Sequence, residues 1–171
     1  MPDPPASDAE AVALRPVAPD DAAFLLSVYT STRLDELVAT DWPDEAKAGF
    51  CRQQFEAQTA HYQTHYPAAE RSIILLNSQP AGRLYVDRWP REIRIMDIAL
   101  LPEFRGKGAG SFLLTKLQNE AAAAEKLLSI HVERFNPALS LYARLGFVLA
   151  EDKGVYLLLH WEAEAASTPV R

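Results

Sequence analysis

The sequence predicts an α/β fold of the mixed α+β kind. We expect a six- to seven-stranded, mostly antiparallel sheet and about four helices. Short apolar runs of strand length follow one another closely, as in antiparallel hairpins. A strand–helix–strand unit extends from Ile93 to Val132, and such a unit joins parallel strands. A glycine-rich turn lies inside that unit. The sheet is therefore expected to be mixed.

The predicted elements alternate along the whole chain. Seven runs have the composition of strands: Val12–Val17, Ser72–Asn77, Arg83–Trp89, Glu92–Leu101, Leu127–Val132, Phe147–Ala150 and Val155–Trp161. Four runs have helical periodicity: from Asp20 or Asp21 to about Ala39, Glu45–Tyr66, Ala109–Lys126 and Pro137–Leu145.

Turn and cap residues set the boundaries of the first elements. Pro16 and Pro19 close the first strand, and Asp20 or Asp21 is a candidate helix cap. Trp42-Pro43-Asp44 separates the first two helices. The segment 78–82, rich in small residues and proline, is the expected first hairpin connection.

The later elements have equally local signals. Trp89-Pro90-Arg91 is the expected second hairpin turn. Asn136 is a candidate cap for a short helix, with Pro137 in its first turn and Gly146 as its stop. Glu151–Gly154 has the composition of a last hairpin turn.

Composition narrows the class of protein. The 171 residues are 49% hydrophobic, which suits a single domain over residues 11–163 between loose ends at 1–10 and 164–171. A net charge of −6 argues against nucleic acid as the main ligand. No apolar run approaches the ~20 residues that span a bilayer, and the N-terminus does not resemble a signal peptide. We therefore expect a cytoplasmic protein without a membrane partner.

Cysteine and histidine content offers little metal chemistry. Cys51 is the only cysteine and is expected to pack in a helix. His61 and His65 stand four residues apart, a spacing that two metal ligands use, but no third ligand is evident. We expect no metal.

The turn Arg105-Gly106-Lys107-Gly108-Ala109-Gly110 carries the strongest functional signal. Its glycines allow a tight turn and close approach of a ligand to the main chain. The helix after the turn presents unpaired N–H groups and the positive end of its dipole. This arrangement suits the phosphates of a nucleotide-derived cofactor.

Two other phosphate-binding classes fit poorly. Gly108-Ala109-Gly110-Ser111 lacks the Gly-Lys-Ser/Thr ending of a P-loop. A dinucleotide-binding fold places its glycine fingerprint after the first strand, whereas this turn follows several strands.

Taken together, the chain from about Val12 to Trp161 resembles the GNAT superfamily of acetyl-CoA-dependent N-acetyltransferases. Arg105, Gly108 and Gly110 match the signature Arg/Gln-x-x-Gly-x-Gly/Ala, preceded by Leu100-Leu101-Pro102-Glu103-Phe104. The segment 136–147, with its Asn, Tyr and Gly-Phe, is similar to the family's block after the fifth strand.

The resemblance implies a splayed parallel central pair of strands and acetyl-CoA as cosubstrate. Backbone groups of Ile98, Ala99 and Leu100 would hydrogen-bond the pantetheine arm. The pyrophosphate would be held by the turn and the helix start: Arg105, Gly106, Lys107, Gly108, Ala109, Gly110 and Ser111. Asn136 would contact the cofactor, or would only cap the short helix.

The resemblance also implies catalytic roles. Tyr142 would be the general acid that returns a proton to the coenzyme A thiolate. Many relatives carry a glutamate base at the position that aligns with Arg94, and arginine cannot serve. Glu92 and Glu133 are the candidate bases, with His131 or a water chain as alternatives. Counted by twos from Glu92, Asp97 falls on the other face of its strand and is expected to be structural.

The first two helices and their connection would bind the acceptor. Tyr29, Arg33 and Trp42 are the candidate residues, with Glu36 and Asp41 nearby in sequence. We expect an N-acetyltransferase in which a primary amine of a small molecule, peptide or protein attacks acetyl-CoA directly in a ternary complex. The alternative is a non-catalytic acyl-CoA-binding or sensor module. A homodimer is also possible, since relatives often dimerise through their late strands.

Overall fold

The computed structural model describes residues 11–164. The segment 1–10 and almost all of the segment 164–171, which we expect to be loose ends, lie outside the described residues.

The elements follow the predicted order. The strands are β1 Val12–Pro16, β2 Glu70–Leu76, β3 Gln79–Arg88, β4 Glu92–Leu100, β5 Leu127–Glu133, β6 Val148–Asp152 and β7 Tyr156–Trp161. The α-helices are α1 Ala22–Val38, α2 Asp44–His65, α3 Ala109–Ala124 and α4 Leu139–Arg144. Two 3₁₀ turns, Pro19–Asp21 and Pro102–Phe104, precede α1 and α3.

The seven strands form one mixed sheet in the order β1-β2-β3-β4-β5-β7-β6. Strands β4 and β5 are parallel, and β5–β7 and β6–β7 are antiparallel. The β4–β5 ladder pairs Glu92–Ile95 with Leu127–Ile130. Both strands continue beyond this ladder, β4 to Leu100 and β5 to Glu133. The predicted mixed sheet with a parallel pair is confirmed.

The chain forms two compact units. The first consists of the residues up to Tyr85 together with Asp97–Gly110, and the second of Val86–Met96 together with the residues from Ser111 on. Each unit has its own buried side chains. Those of the first include Val28, Cys51, Ile73 and Ile74. Those of the second include Ile93, Ile95, Leu114 and Leu128. The single domain over 11–163 stays a prediction.

The first hairpin turns earlier than expected. Asn77 and Ser78 both have positive φ, 50° and 68°, and β3 begins at once with Gln79. A two-residue turn with two positive φ values matches the twist of antiparallel strands, and asparagine tolerates this conformation. The residues 80–82, predicted as loop, therefore belong to a strand.

Two backbone hydrogen bonds join the chain at the two ends of β3 and β4. Between these bonds, the β4 side contains one more residue than the β3 side. Trp89 N–H donates to the Glu92 carbonyl at one end, and Leu101 N–H donates to the Ala81 carbonyl at the other. Eight residue steps along β3 thus face nine along β4, which is a β-bulge.

Two residues predicted to cap helices make different hydrogen bonds from those expected. Asp21 occupies the N-cap of α1, but its carboxylate accepts from Ala18 N–H and the Arg15 guanidinium and makes no hydrogen bond to the helix. These bonds lower the pKa of Asp21 to about 2. Asn136 Oδ1 accepts from Ala138 N–H at 2.8 Å, and the helix proper begins only at Leu139.

Candidate active site

The loop between β4 and α3 exposes its main chain at two glycines. The 3₁₀ turn Pro102–Phe104 ends where Arg105 N–H donates to the Pro102 carbonyl at 3.2 Å. Gly106 and Gly108 then adopt φ values of +74° and +83°. A Cβ atom on either glycine would meet nothing within 4 Å. The glycines are thus required by the backbone conformation, and open space lies in front of them.

Arg105 fastens the loop to the strand before it. Its Nε donates to the Leu100 carbonyl at 2.9 Å. This bond uses one edge of the guanidinium locally, at the end of β4. The Arg105 side chain, which carries the remaining donors, is exposed, and so is the Lys107 side chain. The arginine of the motif therefore both shapes the loop and brings positive charge to it.

Strand β3 approaches the last residues of β4 closely. A Cβ on Gly82 would collide with the Ala99 carbonyl oxygen and would lie 2.9 Å from Leu100 Cα. Only glycine fits at this position. The main chain of Ala99 and Leu100 is therefore positioned from the β3 side by backbone packing.

A buried arginine organises the polar interior of the first unit. The Arg83 side chain is 3% exposed, and its Nη2 donates to Asp97 Oδ2 at 2.6 Å and to Gln58 Oε1 at 3.1 Å. Its guanidinium lies 5.9 Å from the ring centre of Tyr29 and 5.2 Å from that of Tyr85. We call Tyr29, Gln58, Arg83, Tyr85 and Asp97 the Arg83 cluster.

The charged and titratable groups of this cluster change one another's pKa values. Burial acts against the charge of Arg83, but Asp97, Tyr85 and Tyr62 outweigh it, so the pKa of Arg83 lies above its ordinary value. For Tyr85, burial is the largest effect and raises the pKa of the phenol, so this phenol stays protonated. Arg83 Nε is buried without a hydrogen-bond partner among the described residues.

Two of the residues predicted to bind the acceptor lie in or next to the Arg83 cluster. Tyr29 belongs to it, and Arg33 packs on the Tyr29 ring at 5.5 Å and donates from Nε to Tyr29 Oη at 3.3 Å. Arg33 also pairs with Glu36. Trp42 is 47% exposed and stacks edge-on against Phe50 of α2, with ring centres 5.5 Å apart. The structure thus brings Tyr29 and Arg33 into contact, and it packs Trp42 against the start of α2.

A second arginine organises the polar groups of the second unit. Arg94 donates from Nε to Ser129 Oγ at 2.7 Å and from Nη2 to Glu92 Oε2 at 3.2 Å, and its Nη1 lies 3.2 Å from His131 Nδ1. Its guanidinium is 5.1 Å from the centre of the Trp89 ring. We call Trp89, Glu92, Arg94, Ser129 and His131 the Arg94 cluster. Glu92, a candidate base, is therefore ion-paired to Arg94.

The alternative base, His131, is flanked by cations. Its Nε2 lies 3.1 Å from Lys153 Nζ, opposite the side that faces Arg94. Burial, Arg94 and Lys153 lower the pKa of His131. These three effects therefore favour the neutral form of the imidazole. Glu133, the other candidate base, is partly buried at the end of β5.

Tyr142 is fixed by the turn that follows it. The residue is 5% exposed, and its ring packs edge-on against Phe147 at 5.5 Å. Phe147 N–H donates to the Tyr142 carbonyl at 3.1 Å. Gly146, at φ +91°, makes the turn, and the buried Gln118 on α3 donates from Nε2 to the Leu145 carbonyl at 2.7 Å. Tyr142 thus sits on a well-anchored helix end.

Sequence reasoning did not single out Arg83 or Gln118. A charged residue inside the apolar run 81–86 was an available signal for Arg83, because buried charges are almost always paired. Asp97, which the sequence suggests is structural, is the ion-pair partner of Arg83. No local signal pointed to Gln118, because its partner is 27 residues away.

Metal and membrane features are both missing from the part of the chain that the structure describes. Within residues 11–164, no three His, Cys, Asp or Glu side chains are grouped closely enough to hold a metal ion. No helix in the same range combines the length and apolar character needed to cross a bilayer.

Solved structures share this fold. PaiA N-acetyltransferase from Thermoplasma acidophilum, in complex with coenzyme A, is 14% identical, with 90% of this chain and 99% of that chain covered and a TM-score of 0.68. An acetyltransferase from Thermus thermophilus is 21% identical over 90% and 97%, with a TM-score of 0.64. A GNAT family acetyltransferase from Elizabethkingia anophelis with acetyl-CoA bound is 19% identical over 89% and 98%, with a TM-score of 0.57.

The family is shown by the sequence itself. No curated protein sequence matches the chain. The family model described as "Acetyltransferase (GNAT) family" matches residues 32–147, more than half of the chain, and its range includes the glycine loop and Tyr142. The chain belongs to the GNAT family of acetyltransferases.

Proposed function

We propose that the protein transfers an acetyl group from acetyl-CoA to a primary amine by direct attack in a ternary complex. The observation that carries this proposal is the segment 97–110: a strand that runs past its parallel ladder, followed by an open loop with two positive-φ glycines. Membership of the acetyltransferase family supports it.

Main-chain groups would hold the cosubstrate. The backbone of Ile98, Ala99 and Leu100 would hydrogen-bond the pantetheine arm. The amides of the loop and the first turn of α3, from Gly106 to Ser111, would bind the pyrophosphate, with Arg105 and Lys107 adding charge. The open space before Gly106 and Gly108 fits this role, because a phosphate must reach the main chain. Asn136 is a further candidate contact.

Side chains would supply the proton transfers. Tyr142 would donate a proton to the departing sulfur, since a phenol with a pKa of about 10 can protonate a thiolate. The backbone N–H near Leu100 would stabilise the negative charge that develops on the acyl oxygen. Glu92 and Glu133 stay the candidate bases for the amine, and Tyr29, Arg33 and Trp42 the candidate acceptor contacts. The cytoplasmic location and the homodimer stay predictions.

A thiol-release assay with acetyl-CoA and a panel of amines tests the proposal. Tyr142→Phe should lower kcat about 100-fold, the usual size of a general-acid contribution. Tyr156→Phe is the matched control, because Tyr156 is 44% exposed on β7. Unchanged turnover in Tyr142→Phe would remove Tyr142 from the mechanism.

One observation favours a second function, a non-catalytic acyl-CoA-binding module. Arg94 stands at the position of the glutamate base of many relatives and is engaged by Glu92, Ser129 and His131. Calorimetry that detects coenzyme A binding, together with no turnover on any amine, would favour this alternative.

A further inference from the structure

The contacts of His131 contain one hydrogen-bond donor too many. Its Nδ1 lies 3.2 Å from Arg94 Nη1, and its Nε2 lies 3.1 Å from Lys153 Nζ. Guanidinium and ammonium groups donate hydrogen bonds and accept none, whereas a neutral imidazole has one donor nitrogen and one acceptor nitrogen. One of the two contacts therefore brings two donors together, whichever nitrogen of His131 carries the proton.

Burial decides which of the two contacts is mismatched. The Arg94 side chain is 15% exposed, whereas that of Lys153 is 42% exposed. A mismatched contact costs more where water cannot compensate for it. The acceptor nitrogen of His131 is therefore Nδ1, opposite Arg94, and the proton is on Nε2. His131 Nε2–H and the Lys153 ammonium are then two neighbouring donors at the more exposed end of this row of side chains.

The carboxylates of the protein do not satisfy these two donors. Glu92 pairs with Arg94 at 3.2 Å, on the other side of the imidazole. Glu151 Oε2 lies 4.0 Å from Lys153 Nζ, which is beyond hydrogen-bond distance, and its side chain is 61% exposed. Among the described residues, no oxygen accepts from Lys153 Nζ or from His131 Nε2. An acceptor from outside the chain would complete the arrangement.

We propose that Lys153 and His131 bind a carboxylate carried by the acceptor amine; this inference rests on the proposed acetyl transfer. The ligand class is an amino carboxylate. Its carboxylate would accept from Lys153 Nζ and from His131 Nε2–H, and the bond from the ammonium is charge-assisted and strong. The flexible, exposed Lys153 side chain can turn to admit it. A doubly charged phosphate fits less well, because Glu92 and Glu151 are close to the same groups.

Calorimetry on the coenzyme A-bound protein tests this without requiring turnover. The probes are lysine, phenylalanine and 4-aminobutyrate, each paired with its own amide, which keeps the amine and the shape but removes the negative charge. At least one carboxylate should bind about tenfold more tightly than its amide, as the loss of a charge-assisted hydrogen bond predicts. If no carboxylate binds more tightly than its amide, the inference is overturned.

Two variants act on the proposed contact in opposite directions. Lys153→Met removes the ammonium group and should lower carboxylate affinity about tenfold, with amide affinity and the urea midpoint unchanged because the side chain is exposed. Glu151→Gln removes a competing negative charge and should raise carboxylate affinity. The control is Lys116→Met, at an exposed position on α3, which should leave every affinity unchanged. Undiminished carboxylate affinity in Lys153→Met, or a fall in Glu151→Gln, would contradict the inference.

A thiol-release assay with the same probes tells the two proposals apart. A preference for the carboxylate that depends on Lys153, without release of coenzyme A from acetyl-CoA, would support the inference and count against the proposed enzyme. Acetyl transfer with equal kcat/KM for a carboxylate and its amide would do the reverse.

Discussion

Arg83 and Arg94 lie on neighbouring strands and stack on aromatic rings, yet their hydrogen bonding differs. Arg94 distributes three nitrogens over Ser129, His131 and Glu92. Arg83 makes two bonds from Nη2, to Asp97 and Gln58, and leaves Nε without a partner among the described residues. Each guanidinium nitrogen of Arg94 therefore has a polar partner, whereas Arg83 keeps one buried donor without a partner among the described residues.

Loss of Arg83 should have the largest effect on stability. Arg83→Met leaves the largely buried Asp97 carboxylate without its counter-charge, and breaking such a pair costs about 3 kcal/mol of unfolding free energy. Urea denaturation measures this loss. The control Arg88→Met breaks an exposed pair with Glu120 and should cost under about 1 kcal/mol. A similar loss in both variants would mean that the buried Arg83–Asp97 pair contributes no more to stability than the exposed Arg88–Glu120 pair.

Loss of Arg94 should cost less, about 1–2 kcal/mol, although it removes more hydrogen bonds. Glu92 and His131 are partly exposed and can turn to water, so the main cost comes from the fully buried Ser129 hydroxyl. Adding Ser129→Ala should recover part of the loss, because both polar partners are then removed. A larger loss in Arg94→Met than in Arg83→Met would reverse the ranking of the two clusters.

The smallest expected effect is on the pH dependence of stability. The pKa of His131 is lowered in the folded protein, so the unfolded chain binds this proton more readily. Stability should therefore fall as the pH drops below about 6.5, the pKa of an unperturbed histidine. Arg94 and Lys153 oppose the proton, whereas Glu92 and Glu151 favour it.

Urea midpoints at pH 7 and pH 5 test this dependence. In His131→Gln the midpoint should fall less between the two values than in the wild type. His65→Gln, at an exposed position on α2, should fall as much as the wild type. An equal fall in His131→Gln and wild type would show that Arg94 and Lys153 do not hold the imidazole neutral.

Local chemistry made much of the fold predictable. Apolar runs, prolines and glycines located all seven strands and four helices, because those signals act within a few residues. The glycine loop was predictable for the same reason, since Gly106 and Gly108 need positive φ whatever surrounds them. The turn at Asn77-Ser78 was missed because Pro80 and Gly82 are usual loop residues, and here they lie in a strand.

The sequence by itself determined the order of the elements, the family and the glycine loop, because each depends on residues close together in the chain. Only the tertiary structure decided the partners of the charges. Arg83 reaches Asp97 and Gln58, which lie 14 and 25 residues away, and Arg94 reaches His131, 37 residues away. No local pattern in the sequence specifies the extra residue of β4 between the hydrogen bonds that join it to β3. Charge pairing depends on distances of a few ångströms between strands and helices, and these are set only when the chain packs.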